Sequence, residues 1–127
     1  MNFDEFFQVL GSYGDRSFPD AAFIVEVGAE KDKNGKTLQK YRHLPHHTKN
    51  AKSPTENSSV DIPHLRNALA RVGQVSPVKE GSQKFRKRAL SHLQAHARKL
   101  LDTYKSKASL SPEEKDFIVF YKSFEEK

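Results

Sequence analysis

Two sets of side chains in this sequence are equipped to do chemistry: cations interleaved with aromatic rings, and six histidines. The cations gather on residues 81–104, a stretch that reads as one long helix with opposed faces. At 100° per residue, Phe85, Ala89, Leu93, Ala97, Leu100 and Tyr104 fall on one side. Lys84, Lys87, Arg88, Arg98 and Lys99 fall on the other, with small Ser91 and Ala95 between them. A solvated surface is the ordinary fate of such cations. Here only Glu80 and Asp102 dilute the charge, and that imbalance points to an anionic partner, nucleic acid first and DNA within that class. Lys40, Tyr41, Arg42 and His43 add a second basic and aromatic group, suited to phosphate contact and to stacking a base if Tyr41 is not part of the core. Arg66 and Arg71 extend the surface. The expected nucleic-acid-binding residues are therefore Lys40, Tyr41, Arg42, Arg66, Arg71, Lys84, Lys87, Arg88, Arg98 and Lys99.

The histidines invite a metal hypothesis. His43, His46 and His47 lie close in sequence, His64 follows, and His92 and His96 are four apart on the long helix. Imidazole alone is a competent zinc ligand, but three or four rings must converge. The spacing matches no familiar ligand pattern, and His92 and His96 sit where the apolar and basic faces meet, a common place for a histidine that only packs. No metal and no cofactor is expected on these grounds. Asp61 and His64 resemble an acid–base pair, yet capping of a helix start accounts for them more simply. There is no glycine-rich phosphate loop and no nucleophile elbow, so the chain is not expected to be an enzyme on its own.

The elements that must position these residues follow from periodicity and punctuation. Residues 4–10 read as a short aromatic helix, stopped by Gly11 and Gly14. Residues 22–27 alternate so that Phe23, Val25 and Val27 share one face of a half-buried strand, and residues 37–44 read as its partner. Asn34-Gly35 supplies the tight turn between them. Residues 46–59 are polar, contain Pro54 and read as a flexible loop. A helix over 61–72 starts at the Asp61 cap with Pro63 in its first turn, and carries Leu65, Ala68, Leu69 and Val72 as its stripe. Ser111-Pro112-Glu113-Glu114 combines a capping box with a first-turn proline, opening a helix over 111–127 that bears Phe117, Phe120, Tyr121 and Phe124. That aromatic stripe either closes the core or docks on a partner.

With 127 residues, the chain suits one domain with one modest core. Apolar residues make up 35% and charged residues 30%. The absence of cysteine excludes a disulfide framework, a thiolate metal site and a cysteine nucleophile. Asp4 and Glu5 stand where a signal peptide needs positive charge, and no apolar run is long enough to span a bilayer. A cytoplasmic location, without membrane attachment, is expected. The net charge of +6 is uneven: residues 1–20 carry −3 and residues 113–127 carry −2, which leaves +11 for the middle.

Three motifs together are distinctive: Phe18-Pro19-Asp20-Ala21-Ala22-Phe23, then Tyr41-Arg42-His43-Leu44-Pro45-His46-His47, then His64-Leu65-Arg66-Asn67-Ala68-Leu69-Ala70-Arg71 followed by Gln74 and a basic helix. Across residues 18–101 the chain resembles a small domain of tailed-phage and prokaryotic proteins that recurs beside head-morphogenesis and DNA-processing proteins. The resemblance implies phage biology, with a host-cytoplasm or virion location and phage head or DNA-processing proteins as partners. The combined expectation is a single α+β domain over 1–127, a β-hairpin packed with three to four helices including the long basic amphipathic one. Its expected function is a non-catalytic nucleic-acid-binding module, with a structural or assembly protein of a phage head as the alternative.

Overall fold

A computed structural model describes residues 18–126. The helix expected over 4–10 lies outside them. The described chain is a small α+β domain, in which a two-stranded antiparallel hairpin packs on three helices. Strand β1 is Ile24–Val25 and strand β2 is Arg42–His43, with Ile24 opposite His43 and Val25 opposite Arg42. Helix α1 is Ile62–Arg71, α2 is Ser82–Lys105 and α3 is Pro112–Glu125.

The hairpin is shorter than the alternating pattern suggested. Gln39–Tyr41 forms a 3-10 turn, with the Tyr41 N–H donating to Leu38 O, and this breaks the alternation of residues 37–44. On the other side Gly28 takes φ +80°, a conformation open to glycine at little cost, and Ala29 N–H closes a turn onto Glu26 O. Phe23, Val25 and Val27 therefore do not share a buried face. Phe23, Ile24 and Glu26 are buried, whereas Val27 is 59% exposed. The expected tight turn is present. Gly35 lies at φ +79°, and the Asp32 carboxylate accepts the N–H groups of Asn34 and Lys36.

The helix ends follow their capping residues. The Asp61 side chain accepts the His64 N–H at the start of α1, and Pro63 occupies the first turn. Ser111 and Glu114 form a reciprocal capping box that opens α3. Inside, α2 presents Phe85, Ala89, Leu93, Ala97 and Tyr104 to a core shared with Leu65, Leu69, Phe117 and Tyr121. The aromatic stripe of α3 thus closes the domain's own core. Phe117 and Tyr121 are buried, and Phe120 and Phe124 pack against the same cluster.

One carboxylate ties the hairpin to the segment that enters α2. Glu26 accepts the backbone N–H groups of Val78, Lys79 and Glu80 at 2.6–2.9 Å, and it meets His43 Nε2 at 2.6 Å. Burial raises its pKa, but the His43 contact and the three N–H groups outweigh burial and bring it down to about 2.

Two measurements check this architecture. Leu93 is fully buried, so Leu93→Ala should cost about 2–5 kcal/mol in denaturant unfolding. Glu26 has a folded pKa below its unfolded value of 4.5, so its contribution is complete above that value and fades as pH falls toward 2. Glu26→Gln should therefore lower the melting temperature at pH 7 and narrow its gap from the parent chain at pH 3. A constant gap between those pH values would show that the charge of Glu26 is not what holds the segment.

Candidate nucleic-acid interface and a histidine cluster beside it

The outward strip of α2 is built by helical spacing alone. Lys84, Lys87, Ser91 and Ala95 recur at i+3 and i+4 and are exposed, and with Arg88 and His92 they line a shallow concavity. Small Ser91 and Ala95 leave its floor open, with two lysines at one end. Lys99 continues the exposed face toward the helix C-terminus. Lys84 and Lys87 are exposed and make no close ion pair among the described residues, although Lys84 lies near enough to Glu80 to help hold its pKa down.

Other cations expected on this surface are engaged elsewhere. Arg88 reaches Glu80 at 2.8 Å and the Val25 carbonyl at 2.9 Å, which cross-links α2 to the hairpin. Arg98 pairs with Glu125 at 3.1 Å, joining α2 to α3. Arg66 pairs with Asp116 at 3.5 Å and lies over the Phe120 ring. Arg71 is exposed but borders a separate cavity with Leu44, His64 and Gln74. Lys40 is exposed on the hairpin, beside the Tyr41 ring.

Two expected contacts are corrected outright. Tyr41 is 2% exposed, with its hydroxyl donating to the Glu30 carboxylate, so it has no free face on which a base could stack. Arg42 is buried as well. Its guanidinium donates to the carbonyls of Phe18 and Pro19 and to Gln39 Oε1, with Asp20 at 3.6 Å and the Phe23 ring beneath it. The reason is the 3-10 turn at 39–41, which rotates these side chains from the alternating positions of an extended strand. Arg42 locks the start of the described chain onto the hairpin instead of meeting a phosphate.

The histidines divide into two kinds. His43 serves Glu26 and packs edge-on against Phe85, and His64 Nδ1 lies 3.1 Å from Asp61 Oδ2. The other four converge. His46 and His47 at the mouth of the 46–59 loop meet His92 and His96 on α2, and their ligand-capable atoms all lie within 4.8 Å of one another. His46 Nε2 is 3.3 Å from His92 Nε2, which is 3.2 Å from His96 Nε2. His46, His47 and His96 are buried and His92 is half-buried. Burial pushes all four pKa values down, to about 4 for His47 and His92.

The loop supplies the partners that hold these rings. It is irregular, as expected, but pinched at its base by the His47–Val60 bridge and by Thr48 N–H donating to Ser59 O. His46 Nδ1 lies 2.9 Å from Leu44 O, His47 Nδ1 lies 3.0 Å from Ser59 Oγ, and His96 Nδ1 lies 2.8 Å from Asn57 Oδ1. Leu44 stands at φ +52°, unusual for a branched side chain, which places its side chain in the core and its carbonyl at His46. The two halves of this cluster were visible in sequence as adjacent histidines and a four-residue spacing. What joined them was not: Pro54, Glu56, Asn57 and Ser59 lie in a loop without periodicity.

No helix among the described residues is long and apolar enough to cross a membrane. No known protein family, curated protein or solved structure matches the chain.

Arg42 and Lys84 separate the two roles a cation plays here. Arg42→Ala should cost roughly 1.5–3 kcal/mol, the scale of hydrogen bonds to a charged group. Lys84→Gln should leave the thermal midpoint unchanged. Equal effects in paired melts would contradict the division.

Proposed function

We propose that this chain is a non-catalytic nucleic-acid-binding module, with DNA the favoured partner, accessory to phage or prokaryotic DNA processing. The observation that supports this reading is the exposed strip of α2, where Lys84 and Lys87 border a concavity floored by Ser91 and Ala95. A phosphate backbone needs this combination: unpaired cations for charge and small side chains for close approach. Lys99 and Lys40 extend the reach, and the net charge of +6 favours encounter with a polyanion. Interactions of this kind follow the backbone and carry no sequence information, so weak sequence preference belongs to the same reading.

Salt dependence tests it. The triple variant Lys84→Gln, Lys87→Gln, Lys99→Gln should bind duplex DNA more weakly. Its log–log salt slope should be shallower by about 0.9 for each phosphate no longer neutralised. On single-stranded DNA the slope should change by about 0.7 per phosphate. Arg98→Gln is the internal control, because Glu125 already offsets that charge. A folded triple variant with unchanged affinity and slope rules this interface out, and a parent chain that binds no DNA at low salt rules out the function.

A further inference from the structure

We propose that His46, His47, His92 and His96 form a binding site for one transition-metal ion, zinc in the first instance, which staples the 46–59 loop to α2. The site does not depend on the nucleic-acid reading.

The hydrogen-bond network fixes where the ring protons lie. Leu44 O only accepts, so His46 Nδ1 carries the hydrogen and Nε2 keeps a lone pair. The Ser59 hydroxyl gives its single hydrogen to Glu56 Oε1 at 2.8 Å and must accept from His47 Nδ1–H. The Asn57 amide nitrogen donates to His96 O, which leaves Oδ1 to accept from His96 Nδ1–H. His46 and His47 therefore spend their only proton outward, and His46 turns a bare Nε2 toward His92 at 3.3 Å. The carbonyl of Pro54, which also only accepts, stands 2.9 Å from His96 Nε2 and faces His47 and His92 as well, so a neutral His96 has one hydrogen for two acceptors.

Electron-rich atoms thus converge with few hydrogens to share among them, since His46 and His47 place theirs outward and neutral His92 and His96 carry one each. Packing histidines do not require this arrangement, since a ring with one outward donor is content to turn its acceptor to a donor. A divalent cation at the centre satisfies every lone pair at once.

The distances fit a particular ion class. Zinc–imidazole bonds of 2.0–2.1 Å on a tetrahedron set neighbouring nitrogens roughly 3.3–3.4 Å apart. The His46–His92 and His92–His96 separations are 3.3 Å and 3.2 Å, and all four ligand atoms lie within 4.8 Å of one another, so the remaining pairs close by up to about 1.5 Å when an ion binds. A set of neutral nitrogen donors suits zinc, and cobalt as its probe, whereas magnesium and calcium require oxygen ligands. Glu56, the nearest carboxylate in the network, is held by Ser59 and by the Lys52 N–H and acts behind His47. His46, His47 and His96 therefore each have an outer partner of the kind that metal-bound histidines use to fix their tautomer.

The test uses the untagged full chain, stripped with a chelator and titrated with zinc by calorimetry and with cobalt by visible absorption. The expected result is one zinc per chain, a raised melting temperature, and cobalt bands of a four-coordinate site that zinc displaces. Magnesium should do none of this. Ser59→Ala and Asn57→Ala should weaken zinc binding about 10–100-fold while keeping the stoichiometry. His92→Gln, at the most exposed of the four positions, should fold and lose the cobalt spectrum. A folded parent chain that takes up no zinc overturns the proposal, as does a His92→Gln chain with unchanged affinity and spectrum.

Discussion

The burial of one stripe of α2 is the interaction on which the rest of this fold depends. Phe85, Ala89, Leu93 and Ala97 are fully buried along it, in one cluster with side chains of α1, α3 and Ile24 of β1, while Ala22 and Phe23 form a smaller cluster of their own. A hairpin with two-residue strands has no independent stability, and helices of 10 and 14 residues are marginal alone in water. Each large apolar side chain removed from water contributes about 1.5–3 kcal/mol, so a few such residues on α2 hold α1, α3 and the hairpin in place. The alternation of large and small along the stripe matters as much as its polarity. Ala89 and Ala97 let neighbouring elements approach, while Phe85 and Leu93 fill the space between them.

A chain with 35% apolar residues must also enclose polar ones, and here several polar groups, enclosed or half-enclosed, serve as joints. Glu26 fastens the hairpin to the approach to α2, Arg42 fastens residues 18–20 to the hairpin, and Asp61 caps α1 beside His64. Buried groups satisfied in this way favour one arrangement over its competitors, because any slip leaves a charge or a donor without its partner. The same economy shapes the surface. Arg88 and Arg98 spend their charge on holding elements together, and only cations free of that duty remain for an external partner.

What was legible in the sequence was whatever rests on local rules. The three helices, the Asp61 cap, the Ser111 capping box, the Asn34-Gly35 turn and the buried stripe of α2 all follow from spacing within a dozen residues. The hairpin's extent was not legible, because the 3-10 turn at Gln39–Tyr41 interrupts a run whose alternation gives no sign of it. Tyr41 and Arg42 followed that error to the wrong side. The histidine cluster failed for a different reason. His46 and His47 are joined to His92 and His96 over more than forty residues, and a loop without periodicity gives no hint of where its polar groups point.

The long reach of these joints has a consequence for how the chain is made. Glu26 closes onto residues 78–80 across 52 to 54 positions, and His46 meets His92 across 46. During synthesis, residues 18–47 can make their own contacts, such as Arg42 with Phe18 and Pro19, but must wait for α2 and its approach before Glu26 and His46 find their partners. The hairpin is therefore locked only once α2 has been made, well after its own residues. A nascent chain halted anywhere before α2 exposes Phe23, Ile24 and Tyr41 together, and that interval is when this protein is most open to a chaperone or to aggregation.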